Sequence, residues 1–375
     1  MVILEDDSIA EVGSFNGEKD VVDLGDAVVL PGWVNCHTHL EFSHLSQPLG
    51  EKGTPITDWI PEVIGDRFGR DPEVSSPVLK GLDACHRTGT ALVGEIATSS
   101  DELELYANSP LLGSIFFERL GNDAGRVNEL MKRTNDWLAK QEAANWFCGL
   151  SPHAPYSVSP ELLEQLLGAA GRGKAPVAMH IAESQEELEW LNHRRGPFKE
   201  LLENLGALPN LPPGWNMDQV INQLCSGDRS ILVHGNYLSG KQLDVIAESD
   251  ARIVFCPRTH AFFEHDEYPL RAIRDRRIKL GIGTDSLASN PDLNMLGEIQ
   301  LVRSRFADLS PSILIEMATI DGAKILCREK EFGSIEPGKS SKLIHFQLNG
   351  ESSPLDAIVD GKATFGGWLH DNDEC

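Results

Sequence analysis

Two histidines stand two residues apart in Asn35-Cys36-His37-Thr38-His39, directly after the apolar run Val28–Val34. Side chains two apart on a strand leave the same face. A strand ending here would therefore send both imidazoles the same way, and two imidazoles facing together can hold one metal ion. Two donors do not complete the coordination of zinc, so further ligands are required from elsewhere in the chain. Four more polar side chains stand at the ends of strand-like apolar runs: His153, His180, His234 and Asp285. Each alone reads more simply as a hydrogen-bonding residue where a strand meets a loop. Together they form a nitrogen and oxygen donor set that suits zinc or ferrous iron, provided that the strands converge on one axis.

The elements that would bring them together can be read in order. Buried-strand patterns occur at Val28–Val34, Ala91–Ile96, Gly113–Phe117, Trp146–Leu150, Pro176–Met179, Ser230–Val233, Arg252–Phe255 and Ile278–Ile282. Helical patterns lie between them, such as the one opening at Ser159-Pro160 with a cap residue and a first-turn proline. Eight alternating units predict an α/β fold, a (β/α)8 TIM barrel, in which chemistry sits at the C-terminal ends of the strands. Successive strand ends are spaced by roughly 30 residues, as such units require. The intervals from His37 to Glu95 and from His180 to His234 are about twice as long, which predicts insertions after the first and fifth strands. Both chain ends are β-like and rich in turn residues. Val2–Leu4, Ser8–Val12, Val21–Leu24 and Ala27–Leu30 precede the barrel, with Asn16-Gly17 as a hairpin signal. Phe332–Lys339, Lys342–Phe346, Ala357–Lys362 and Ala363–Phe365 follow it. Short strands cannot bury a core alone, so residues 1–29 and 335–375 are expected to form one small β-sandwich domain, with the barrel spanning 30–334.

Composition narrows the function classes. A chain of 375 residues, 41% hydrophobic, is long enough for one large barrel and an appendage. Its formal charge of -24 opposes binding to a phosphate backbone, so no nucleic-acid partner is expected. The seven cysteines are odd in number and never in a Cys-x-x-Cys pair, which fits a reducing, cytoplasmic setting better than a disulfide framework. No apolar run approaches the roughly 18 to 20 residues of a membrane span, and the first residues lack a basic stretch followed by an apolar one. No membrane partner is expected.

Several motifs recur in one order along the chain: Pro31-Gly-Trp-Val-Asn-Cys-His37-Thr-His39, Ser151-Pro-His153-Ala-Pro-Tyr-Ser157, His180-Ile-Ala-Glu183-Ser, His234-Gly, Gly283-Thr-Asp285-Ser and Gly333-Ser-Ile-Glu-Pro-Gly338. In these the sequence resembles the amidohydrolase superfamily, and within it the metal-dependent deaminases and chlorohydrolases of aminated heterocycles. The resemblance implies that His37, His39, His180 and Asp285 are ligands of one catalytic metal. It places His234 beside the water to be activated, Glu183 as the proton shuttle to a ring nitrogen, and His153 against the substrate. The N-terminal segment is shorter than the family pattern by a strand or two. Dinuclear relatives carry a bridging lysine where this chain has Ser151-Pro-His153, so one divalent metal per chain is expected: zinc, or iron or manganese, which accept the same donors.

A metal lowers the pKa of bound water to roughly 7, which supplies hydroxide at neutral pH. Asp285 can accept the proton of the water, His234 can orient the nucleophile, and Glu183 can act as the acid for the ring. The expected reaction is hydrolytic deamination of a purine nucleoside or related aminated heterocycle, with release of ammonia. Guanine- or cytosine-type deamination and triazine-type dechlorination use the same machinery and remain the alternatives, with a non-catalytic barrel subunit as the reading from another class. Where the family pattern has Cys-Pro-x-Ser-Asn, this chain has Cys256-Pro257-Arg258-Thr259-His260. Arg258 and His260 therefore either contact an anionic or hydroxyl-bearing part of the substrate or secure the loop. Glu41, Glu95 and Glu118-Arg119 lie near strand ends and read first as buried ion pairs or hydrogen bonds, with substrate contact as the alternative for each and Glu95 taken as a candidate substrate contact. A homodimer is the expected association.

Overall fold

The computed structural model describes the whole chain except residues 19–20, 70–75, 100–102, 141–145, 351–352 and 370–375. His370 and the seventh cysteine, Cys375, lie outside the described residues. Thirteen strands are described: β1 (Val2–Glu5), β2 (Ser8–Val12), β3 (Ala27–Pro31), β4 (Trp33–Thr38), β5 (Thr90–Ala97), β6 (Leu112–Arg119), β7 (Trp146–Pro152), β8 (Val177–Ile181), β9 (Ser230–His234), β10 (Arg252–Phe255), β11 (Leu280–Ile282), β12 (Leu343–Gln347) and β13 (Thr364–Trp368).

Strands β4 to β11 form one parallel sheet in chain order. Their residues are almost all buried, as expected of a parallel sheet covered on both faces. Helices follow the strands and cover the outer face. The two edge strands meet at the end that carries His37, His39 and Asp285. Thr38 bridges Asp285 in parallel register, and the Asp285 N–H donates to the His37 carbonyl at 2.9 Å. This closure needs glycine, because a Cβ on Gly283 would lie 2.8 Å from the His37 Cβ and about as close to its backbone. The barrel is therefore sealed by the residues that carry the first histidine pair.

The apolar run Val28–Val34 is not one strand. It breaks at Gly32 into β3, which belongs to a small antiparallel sheet, and β4, which opens the barrel. A Cβ at Gly32 would lie 2.7 Å from the Ala91 Cβ and 2.9 Å from the Trp368 ring, so only glycine lets the chain pass between the two sheets. β3 pairs with β12, which pairs with β13, so the N- and C-terminal segments share one sheet. β1 and β2 form a separate two-stranded ribbon that touches the C-terminal segment through Ser8 and Ser340.

Four local expectations differ from the structure, the first being Phe332–Lys339, which forms turns and no strand. The N-terminal hairpin turns at Asp6-Asp7 and not at Asn16-Gly17: Asp6 adopts the positive φ, and the Asn16 N–H is bound locally by Glu18. Val21–Leu24 is not a strand; Val21 and Val22 are exposed and have no sheet to join. Ala357–Lys362 is not a strand either, since Pro354–Val359 is a helix with proline at its start. Its apolar residues Ala357, Ile358 and Val359 are buried, so the run satisfied both a strand and a short buried helix.

The two long connections are where the spacing put them. After β4 the chain forms a helix at Ile56–Gly69 and another at Pro77–Arg87; after β8 it forms helices at Gln185–His193, Pro197–Asn204 and Met217–Cys225. The helices Ile56–Gly69 and Pro197–Asn204 pack against each other.

Candidate active site

The strand order brings five histidines to one place. Ring centroids of His37 lie 4.9 Å from His39, 5.0 Å from His180 and 5.7 Å from His234, and that of His153 lies 5.1 Å from His180. His37, His39 and Asp285 offer donor atoms that all lie within 4.8 Å of one another, as do those of His37, His180 and His234 and those of Glu183, His234 and Asp285. The left-handed backbone at Ala182, His234 and Asp285, with φ of 49°, 68° and 60°, turns the chain sharply just past β8, β9 and β11. Non-glycine residues adopt this conformation only where surrounding structure enforces it. Here Tyr237 N–H binds the Ala182 carbonyl, Tyr268 Oη–H binds the His234 carbonyl at 3.0 Å, and Asp285 is tied to His37.

The donors fit a cation. The Nδ1 of His180 lies 2.8 Å from the His153 carbonyl, which can only accept, so Nδ1 carries the proton and Nε2 presents its lone pair. That Nε2 faces His39 Nε2 at 3.3 Å. The Asp285 Oδ1 stands 3.7 Å from His37 Nε2 and 3.8 Å from His39 Nε2, and His37 Nε2 is buried without a hydrogen-bond partner. Neighbouring lone pairs and a carboxylate in a dry pocket are the environment of a divalent cation.

Burial reinforces this. It drives His39 and His234 far below the ordinary histidine range and His180 to about 3, with neighbouring imidazoles adding to the effect. The rings of His39, His180 and His234 are neutral at physiological pH. Desolvation opposes ionisation of Asp285, but the surrounding His37, His234 and His39 hold its carboxyl below the usual carboxylate range. Glu183 behaves oppositely. Burial, then the charges of Asp285 and Glu187, push its carboxyl well above the ordinary value, so it keeps a proton. Its Oε1 lies 3.4 Å from His234 Nε2. Its backbone is held on both sides, the N–H by Glu187 Oε2 at 2.8 Å and the carbonyl by Asn236 Nδ2 at 2.8 Å.

A cavity of about 640 Å³ opens over this cluster. His39, His180, His234, Asp285 and Glu183 line its inner end, together with His153, whose Nδ1 is 2.6 Å from Ser157 Oγ. Its outer walls come from the two insertions: Ile56, Trp59, Ile60, Val63 and Ile64 on one side, and Leu201, Leu202, Leu205 and Leu208 on the other. Trp59 lines the cavity together with Phe42 and Tyr156, whereas Trp190 is buried in the core.

Three expected substrate contacts are placed elsewhere. Glu95 is behind the cluster, accepting from Thr38 Oγ1 at 2.6 Å, from the Leu40 N–H at 3.1 Å and from Tyr106 Oη at 3.3 Å. It braces the turn that carries His39. Arg258 pairs through Nε with Glu298 at 2.7 Å and through Nη2 with Asp292 at 2.5 Å, so it secures the loop after β10. His260 packs against Phe255, His265 and Tyr268, with Arg305 Nη1 3.3 Å from its Nδ1. None of the three is among the residues lining the cavity.

Of two further cavity residues, Arg67 was assigned no site role from sequence, and Glu118 only as the alternative to a buried ion pair. Glu118, expected to be a buried partner in an ion pair, stands 3% exposed on the cavity wall with Oε1 unpartnered. Arg67 reaches the same cavity from the helix Ile56–Gly69. The signal for Arg67 is the stripe Ile56, Ile60, Val63, Ile64, Arg67, one face of a helix at a period of 3.6.

The amidohydrolase family model matches residues 28–367. The chain is 29% identical over 317 residues to the aminodeoxyfutalosine deaminase of Deinococcus radiodurans, covering 80% of this chain and 73% of that protein. It is 27% identical over 344 residues to the 5-methylthioadenosine/S-adenosylhomocysteine deaminase of Pyrococcus furiosus, covering 87% and 77%. Among solved structures, Helicobacter pylori aminofutalosine deaminase in complex with methylthio-coformycin superposes with a TM-score of 0.83 at 23% identity, over 95% of this chain and 90% of that one. No described helix is long and apolar enough to cross a membrane.

Proposed function

The chain belongs to the amidohydrolase family, and on that premise we propose that it is a metal-dependent hydrolytic deaminase of an adenosine-type nucleoside, releasing ammonia. The observation that carries the reading is the buried carboxyl of Glu183 set beside His234 and Asp285, all three with donor atoms within 4.8 Å of one another, at the inner end of a cavity large enough for a nucleoside. Curated relatives named as deaminases of adenosine-type compounds support it.

His37, His39, His180 and Asp285 would hold one divalent cation, zinc first by their donor set. Such a cation lowers the pKa of a coordinated water to about 7 and so provides a nucleophile at neutral pH. The residues of the chain supply the rest. Asp285, ionised among its imidazoles, takes the proton released by the water as it attacks the amino-bearing ring carbon. His234 directs its Nε2 at the same point as Glu183 and orients the attacking oxygen. Glu183 gives its proton to the ring nitrogen beside the attacked carbon, which stores the displaced electron pair there. The proton held by Asp285 then passes to the departing amine, which leaves as ammonia, while the remaining hydroxyl proton returns to Glu183 and the ring carbon becomes a carbonyl. The apolar outer walls exclude bulk water and so strengthen each of these electrostatic contacts.

A single cation per chain is supported by Ser151-Pro-His153 at the end of β7, where no lysine stands. The six described cysteines are free, which fits a cytoplasmic setting, and a homodimer is the expected association for folds of this kind. Ammonia release is the test. Protein supplied with zinc, and the same protein after chelation, is assayed with adenosine, 5′-deoxyadenosine, 5′-methylthioadenosine, guanine, cytosine and a chlorinated triazine. Metal-dependent ammonia from the adenosine series is expected. Chloride release, or ammonia from guanine or cytosine alone, would replace this reading.

A further inference from the structure

His234 is held from behind by a residue of another loop. It ends β9 with a φ of 68°, a conformation that costs free energy in any residue with a Cβ. The peptide that follows it is fixed at both ends. Its N–H, on Gly235, donates to the Ile181 carbonyl at 2.9 Å, and its carbonyl, on His234, lies 3.0 Å from Tyr268 Oη. A carbonyl can only accept, so the phenol is the donor. Rotation about the N–Cα bond carries the Cβ and the carbonyl carbon together, so whatever fixes this peptide also aims the imidazole. The ring so aimed lies 5.4 Å from that of His180, at 23° between planes, with Nε2 3.4 Å from Glu183 Oε1.

Tyr268 is itself locked in place. It is 3% exposed and does not line the cavity, so it has no reach to a substrate. Its ring stacks on Phe255 of β10, with 3.7 Å between centroids and 14° between planes, and meets the His260 ring edge-on at 5.8 Å and 87°. His260 is anchored in turn by Arg305, whose Nη1 lies 3.3 Å from its Nδ1. The phenol is therefore clamped between β10 and the helix that follows it, and it transmits that rigidity to the end of β9. A buried tyrosine needs some hydrogen-bond partner. Here the partner is the carbonyl of the strained residue whose ring faces Glu183.

We propose that Tyr268 is a positioning residue for His234: its hydrogen bond to the His234 carbonyl holds the strained peptide, and with it the aim of the imidazole at the reacting centre. The assignment rests on the deaminase reading above for the role of His234 and deepens it. It also gives the departure from the family motif at His260 a task, since that ring and the stack on Phe255 together fix where the phenol points.

Tyr268→Phe keeps the ring against Phe255 and His260 and removes only the donor. Zinc-supplied wild type, Tyr268→Phe, His234→Ala and the double variant are compared by ammonia release from adenosine and its 5′-modified analogues, and the first two also by the proton–carbon NMR signals of their histidine rings. Tyr268→Phe is expected to lower kcat by about 10- to 100-fold, as small misplacements of a reacting group do. KM and zinc content should stay at wild-type values, because no ligand of the cation is touched. The His234 ring signal should shift more than that of His37, His39 or His180. In the His234→Ala background the same change should cost nothing further in kcat, whereas a merely structural role would cost the same in both backgrounds. Should Tyr268→Phe not fold, Phe255→Leu, which unseats the phenol ring while keeping its hydroxyl, is read in the same cycle. Losses that multiply in the double variant, a wild-type kcat in Tyr268→Phe, or an unmoved His234 signal would overturn the assignment and leave the deaminase reading intact. No ammonia from wild type with any of these nucleosides would overturn the deaminase reading, and the ring signals would then decide the positioning by themselves.

Discussion

Of the buried glutamates at the C-terminal end of this barrel, two stand behind the donor cluster and two in the cavity wall. Burial pushes all four toward the neutral form. In the supporting layer, Glu95 takes hydrogen bonds from Thr38, Leu40 and Tyr106. Glu298 takes them from the Arg258 N–H and Nε and from Asn290 Nδ2, at 2.8, 2.7 and 2.6 Å. On the cavity wall, Glu118 has an open oxygen, and the side chain of Glu183 meets the His234 ring at 3.4 Å and no closer polar partner among the described residues. The same residue type under the same desolvation is thus used in two ways. A saturated carboxylate fixes backbone and loops; an unsaturated one is available to a proton or a ligand. Saturation by the protein, and not burial or a raised pKa, separates the two layers.

The contrast can be broken by substitution. Glu183→Gln should have the largest effect on function, lowering kcat by about 10²- to 10⁴-fold, the usual worth of a positioned proton donor. Its unfolding free energy should be no lower than that of wild type, because a neutral amide replaces a group that burial already keeps neutral. Kinetics and urea unfolding of one preparation check both halves, and a large fall in stability would move Glu183 into the supporting layer. Glu298→Ala should do the reverse, costing about 3 kcal/mol by stranding Arg258 and Asn290. Its unfolding midpoint should drop while any activity lost is restored at lower temperature.

The smallest effect sharpens the boundary between the layers. Glu187 is buried, and its Oε2 accepts from the Glu183 N–H while Oε1 has no partner. Burial raises its carboxyl from 4.5 to about 8. The folded state therefore binds this proton more tightly than the unfolded chain does. Its contribution is full below pH 4.5 and is lost as pH rises through 8. The stability difference between wild type and Glu187→Gln should accordingly shift against wild type across that window and level off above it. A difference that does not change with pH would show that backbone donors hold Glu187 ionised in the folded protein.

Much of the site was legible because strand ends carry it. His37 and His39 at a spacing of two must share a face of β4, and His180, His234 and Asp285 each follow a run too apolar to be anything but buried. The long intervals after His37 and His180 announced the two insertions that became the cavity walls. What was not legible depended on facing. Glu95 and Glu118 both sit on fully buried strand residues, and the pattern around them does not tell a side chain braced by a neighbouring loop from one that opens on a cavity. Arg258 and His260 departed from the family motif, which drew attention to them, yet their partners Glu298 and Arg305 lie some 40 residues on and decide that they point away. Gly32 looked like one residue in a continuous strand until Ala91 and Trp368 were seen on either side of it.

Sequence by itself therefore determined the chemical inventory and its order along the chain: four donors for a cation, an acid three residues past one of them, and eight alternating units to bring them together. Those features are local, set by residue type and by spacing along one strand or one turn. The tertiary structure alone decided which buried charges are satisfied and which are left open toward the cavity. That decision belongs to contacts between residues distant in the chain, and hydrogen-bond satisfaction is a property of the assembled neighbourhood that no single segment contains.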